Sequence, residues 1–111
     1  MDVTELAAAY FDAIRTRDAE RLRSLFARDA VLSSGGVTHV GRDAITEWYA
    51  TQAFLIEPEP SLGPFIVDGD RLAVEIDLHT SIGQMAVCDV FETKNGEIER
   101  LAIYGTPRLE S

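Results

Sequence analysis

Leu72-Ala73-Val74-Glu75-Ile76-Asp77-Leu78-His79 is where the apolar pattern of the chain changes to a period of two. Leu72, Val74, Ile76 and Leu78 share one face of an extended strand, and Ala73, Glu75, Asp77 and His79 share a wetter one. Turn chemistry brackets this stretch and recurs beyond it, at Asp68-Gly69-Asp70, Ser81-Ile82-Gly83 and Lys94-Asn95-Gly96. Four strands are therefore expected from Pro64 onward, joined as an antiparallel meander. The last runs from Ile98 to Thr106 and carries Leu101, Ile103 and Tyr104.

Upstream the spacing is helical. Val3, Leu6, Ala7, Tyr10, Ala13 and Ile14 fall on one helical face, with Asp2 or Thr4 available as the cap. A short second helix starts at Asp18 and buries Leu22, Leu25 and Phe26. Ala30 to Ser33 reads as extended, and Ser34-Gly35-Gly36 as a turn into a short strand around Val37 to Val40. Gly41-Arg42-Asp43 opens a third helix whose apolar side is Ile45, Trp48, Tyr49 and Gln52 or Ala53. Glu57-Pro58-Glu59-Pro60 ends it. Helices first and strands second indicate an α+β domain. Helices packed into the concave side of a curled sheet leave a pocket lined by the inward side chains.

With 111 residues, 46% hydrophobic and 26% charged, the chain is expected to form one globular domain over residues 1–111. The net charge of −9 argues against a nucleic-acid partner. Arg15, Arg17, Arg21, Arg23 and Arg28 are interleaved with Asp18, Glu20 and Asp29, which describes a solvated helix face. No apolar run reaches the roughly 20 residues of a membrane helix, so no membrane partner is expected. The N-terminal residues lack the pattern of a secretory signal, and a cytoplasmic location is expected. The single cysteine, Cys88, allows no internal disulfide and reads as a small core residue.

The chemistry concentrates in Met85-Ala86-Val87-Cys88-Asp89-Val90-Phe91, where every residue but one is apolar. Asp89 shares a strand face with Met85, Val87 and Phe91, while Ala86, Cys88 and Val90 take the other, so neither face reads as wet. A buried carboxyl stays protonated, finds donors or pairs with a cation, because an isolated charge costs several kcal/mol or more to bury. Two readings follow. Asp89 is either a structural carboxyl bonded to backbone or tyrosine, or a neutral acid held in a pocket as a hydrogen-bond donor.

Tyr10-Phe11-Asp12-Ala13-Ile14, then Asp18, then Leu25-Phe26-Ala27-Arg28-Asp29-Ala30, then Gly41-Arg42-Asp43-Ala44-Ile45 together resemble the NTF2-like (SnoaL-like) superfamily. That superfamily includes nuclear transport factor 2, SnoaL-type cyclases and ketosteroid isomerases, and the resemblance covers nearly the whole chain. It implies a cone in which three N-terminal helices pack in the concave face of a curved, mostly antiparallel sheet. The motif layout is most similar to the ketosteroid isomerases, which use a first-helix tyrosine and a protonated late-strand aspartic acid as an oxyanion hole. The resemblance puts Tyr10 and Asp89 in those catalytic positions, Tyr49 behind Tyr10, and Phe26 among the aromatic pocket residues. It also exposes a departure. The family's general-base aspartate falls four residues after the equivalent of Ala30, and here that residue is Ser34, whose neutral hydroxyl is too weak a base at pH 7.

The expected ligand-binding set around Tyr10 and Asp89 is Phe26, Ser34, Trp48, Tyr49, Val87, Phe91 and Tyr104. His39, or His79 with Asp77, are the other groups suited to proton transfer, although a surface role fits them better. Their separation matches no metal motif, and no phosphate loop, nucleophile elbow or nucleotide fingerprint is present, so neither metal nor cofactor is expected. The implied partner is a small apolar molecule with a carbonyl or phenol oxygen, either transformed or only bound. The family also implies a homodimer through the exposed sheet face.

Overall fold

The computed structural model describes residues 1–105. Helix α1 (Val3–Thr16) begins with a capping box. The Asp2 carboxylate accepts from the Glu5 N–H while the Glu5 carboxylate accepts from the Asp2 N–H. The helix ends at Arg17, whose left-handed φ of 53° turns the chain back. More of α1 is buried than a single stripe, since Ala9 and Phe11 join the expected face. The helix lies inside the sheet, against the strands defined below as β3, β5 and β6.

Helix α2 (Ala19–Leu25) is capped by Asp18, which accepts from the Arg21 N–H at 3.0 Å. Phe26 is fully buried as expected, but as the first residue of strand β1 (Phe26–Ser34) rather than as the end of the helix. Gly35 and Gly36, both at positive φ, turn the chain into β2 (Val37–Val40), the geometry of a tight two-residue hairpin. Helix α3 (Arg42–Thr51) follows, then a 3-10 turn (Ala53–Ile56).

The sheet is completed by β3 (Glu59–Leu62), β4 (Ile66–Asp68), β5 (Arg71–Thr80), β6 (Gly83–Lys94) and β7 (Glu97–Gly105). Thr106, assigned to the last strand from sequence, lies outside the described residues. Strand order is β2-β1-β7-β6-β5-β3, with β4 on the same edge of β5 as β3. The meander β4-β5-β6-β7 is as the turn residues predict. Every pairing is antiparallel except β1 with β7, which brings the two halves of the chain together.

Strand β3 is an element the sequence reading missed, because Pro58 and Pro60 look like breakers. Pro60 is tolerated on an outermost strand, where alternate N–H groups face away from the ladder. Between β3 and β4 the Gly63 N–H donates to the Glu75 carbonyl at 2.8 Å, and a Cβ there would stand 3.1 Å from that oxygen. Irregular registers in β1–β7 and β6–β7 accompany the curvature.

The architecture is thus an α+β cone, with three helices packed against one curved sheet. Phe11, Phe26, Phe91, Leu22, Ile45 and Leu101 lie at its centre, essentially without exposure. The helices cover only the concave side. Ala86 is therefore exposed and Cys88 and Val90 are half-buried, so the β6 stretch has one wet face after all and Cys88 is not a core residue. Among the described residues no helix is long and apolar enough to cross a membrane.

Candidate functional site

A cavity of about 270 Å³ opens between α1, α3, the 3-10 turn and the inner face of the sheet. Its walls are mainly apolar, with Phe11 and Ile14 from α1 facing Ile76, Leu78, Val87 and Ile103 from the strands. Five side chains bring polar atoms to it: Tyr10, Ser34, Trp48, Tyr49 and Asp89.

Asp89 reaches the cavity because β6 places it level with Val74 of β5 and Ile103 of β7, in the phase that points at the helices. It is 3% exposed, the one buried charged-type residue among those described. Its Oδ1 atom has no hydrogen-bond partner. Burial alone pushes the carboxyl from 3.8 up to about 7.

Tyr10 stands in the middle of α1 and hydrogen-bonds through its hydroxyl to the hydroxyl of Tyr49 on α3. Burial raises Tyr10 well above the usual phenol range, with the nearby Tyr49 and Asp89 adding to the effect. Tyr49 is raised too, by burial first, against the lowering effect of its bond to Tyr10. Both phenols therefore remain neutral, and because one hydroxyl donates to the other, one O–H of the pair is left free to donate elsewhere.

The Tyr10 ring is held edge-on by three phenylalanines, with centroids at 5.0 Å to Phe11, 5.2 Å to Phe91 and 6.4 Å to Phe26. This corrects two expected ligand contacts. Phe26 and Phe91 share the inward direction of the site but are fully buried behind Tyr10, where they fix its ring and do not line the cavity. Tyr104 is a third correction. It pairs with Cys88 on the outer phase of the sheet, is 55% exposed and hydrogen-bonds Arg100.

Ser34, Trp48, Tyr49 and Val87 do line the cavity beside Tyr10 and Asp89. The position where the resemblance puts a base is thus a cavity position that carries a hydroxyl. His39, Asp77 and His79 are not brought together. The His39 ring stacks on Trp48 at 5.1 Å, whereas Asp77 and His79 are exposed on the outer phase of β5.

Several wall residues were missed. Ile76, Leu78 and Met85 could have been found from the inward phase of their strands, which the sequence displays. Phe11 carried no such signal because it lies off the apolar stripe of α1, and Ile56 and Pro60 carried none because the 3-10 turn and β3 were not foreseen.

A family model described as a SnoaL-like domain matches residues 7–101. Among solved structures, the chain is similar to a candidate polyketide cyclase from Sinorhizobium meliloti, with 29% identity, a TM-score of 0.83 and coverage of 89% of this chain and 93% of that one. A candidate ketosteroid isomerase from Kribbella flavida superposes with a TM-score of 0.88 at 20% identity, over 98% of this chain and 81% of that one. An NTF2-like protein from Cytophaga hutchinsonii gives a TM-score of 0.85 at 12% identity, over 96% and 92% of the two chains. These last two likenesses concern the fold alone. No curated protein matches the sequence.

Proposed function

The chain belongs to the SnoaL-like domain family, and from that premise we propose that its cavity takes a compact, largely apolar molecule by a carbonyl or phenol oxygen. Tyr10 and protonated Asp89 donate to that oxygen together and form an oxyanion hole. The observation that carries the reading is Asp89 itself, a carboxyl 3% exposed whose Oδ1 has no partner although two tyrosine hydroxyls are close by. A carboxyl kept only to satisfy the tyrosines would be bonded to them. One left unpaired at the wall of an apolar cavity is poised for a ligand atom. In such a dry site two aligned donors are worth several kcal/mol toward an oxyanion.

The same cavity favours a second reading, binding without turnover, because Ser34 stands where the related isomerases have their base. Titration calorimetry with substituted phenols tests the site. Wild type binds, and Asp89→Leu and Tyr10→Phe each weaken binding roughly 10- to 100-fold, the effect of losing one buried hydrogen bond. Unchanged affinity in both variants would remove the oxyanion hole. Turnover is tested with a β,γ-unsaturated ketone: wild type isomerises it barely, and Ser34→Asp faster. Vigorous wild-type turnover would mean that another group is the base.

A further inference from the structure

The cavity is open at one end, and the surface beside that opening is unusually apolar. Met85 lines the wall and is nevertheless 39% exposed, which marks it as part of the mouth. The β5–β6 turn beyond it carries Ile82, 75% exposed, in a place where turns ordinarily put polar residues. The turn is ordered: the Thr80 hydroxyl donates to the Gly83 carbonyl at 2.6 Å and accepts from the Ile82 N–H at 3.2 Å. It is also tied to the 3-10 turn, because the Ser81 N–H donates to the Ile56 carbonyl at 2.8 Å. Ile56 is a wall residue, and its neighbour on the 3-10 turn, Leu55, is 71% exposed.

Single exposed apolar residues need no explanation, but a group of them continuous with an apolar cavity describes a ligand groove. The volume of about 270 Å³ is small for such a site, near the lower end of the roughly 300–1,000 Å³ usual for small-molecule pockets. A compact ring fills it. Anything attached to the far side of that ring must leave by the mouth, where Met85 stands with the exposed Leu55 and Ile82 on the neighbouring turns. The acidic residues nearby, Glu57 and Glu59, are exposed, Glu59 is paired with Arg17 at 3.3 Å, and neither lines the cavity.

We propose that the ligand is bipartite, a ring with a carbonyl or phenol oxygen held inside the cavity and an uncharged alkyl tail that runs out along Met85, Leu55 and Ile82. This rests on the reading of the cavity given above and narrows its substrate class to amphipathic, long-chain compounds.

Titration calorimetry with 4-methyl-, 4-butyl- and 4-octylphenol, kept below self-associating concentrations, tests the tail separately from the head. In wild type, affinity rises with chain length by up to roughly fourfold per methylene buried, and continues to rise from butyl to octyl. In the double variant Leu55→Ser/Ile82→Ser, both sites being surface positions outside the cavity wall, 4-methylphenol binds as in wild type and the gain from butyl to octyl is lost. Octylphenol binding no tighter than 4-methylphenol in wild type, or an undiminished gain in the double variant, overturns the tail groove while leaving the head site intact. Failure of 4-methylphenol itself to bind, or binding that Asp89→Leu does not weaken, overturns the head site instead, and the bipartite ligand with it.

Discussion

Asp89 makes the folded protein hold a proton that the unfolded chain releases. Its carboxyl ionises near 3.8 when free and near 7 in place. Between about pH 4 and pH 7 the native state therefore carries the extra proton, and stability from this group falls as pH rises through that window, by on the order of 4 kcal/mol across it. Well above pH 7 both states are ionised and the dependence ends. Asp89→Asn keeps the shape and cannot ionise, so its stability relative to wild type should improve from pH 4.5 to pH 7.5 in urea unfolding. Parallel curves for the two proteins would mean that the buried carboxyl is already charged at pH 4.5. The residues of the site were partly legible in the sequence for the same physical reason. A lone acid in an apolar strand announces a solvation problem, and a tyrosine on the buried face of α1 needs a partner. Depth was not legible: alternation tells which side Phe91 faces, but not that Tyr10 stands between it and the cavity. Tyr104 was assigned against its own alternation with Leu101 and Ile103, and that phase puts it outside.

Elements whose pattern is periodic and whose ends carry turn or cap chemistry were readable, as α1 and β5 illustrate. Elements decided by their neighbours were not. Pro60 excludes a central strand but is harmless in β3, and only the sheet order reveals that β3 is an edge. Phe26 reads as helical by spacing, yet the helix ends one residue earlier, because β1 begins there to meet β7 at Ile98. Among the readable features, the capping box of α1 lends itself to measurement. Asp2→Ala removes the acceptor for the Glu5 N–H at a solvent-exposed site remote from the cavity. A loss of about 1 kcal/mol in urea unfolding is expected, with phenol affinity unchanged. A drop in affinity would show that the cap sets the position of Tyr10 and not only the stability of its helix.

At the scale of the molecule, the parallel pairing of β1 with β7 joins residues about 70 positions apart in sequence, Phe26 with Ile98 and Ser34 with Ile103. Local patterning specifies strands and says little about such distant partners, which is why the meander was foreseen and its closure was not. Because β7 lies between β1 and β6, a defect near the end of the described chain strikes the centre of the fold. Leu101→Ala, at a position with no exposure, should cost about 2–5 kcal/mol and leave a single unfolding transition with an unchanged denaturant slope. A second, earlier transition would instead show β7 detaching on its own.

The chain has one tryptophan, and the fold spends it on the cavity wall, with the His39 ring stacked against it. The ultraviolet emission of the whole protein is consequently dominated by a single indole touching the place where a guest would sit. Every arrival there changes the polarity beside that indole, so the unlabelled protein carries its own optical reporter of occupancy.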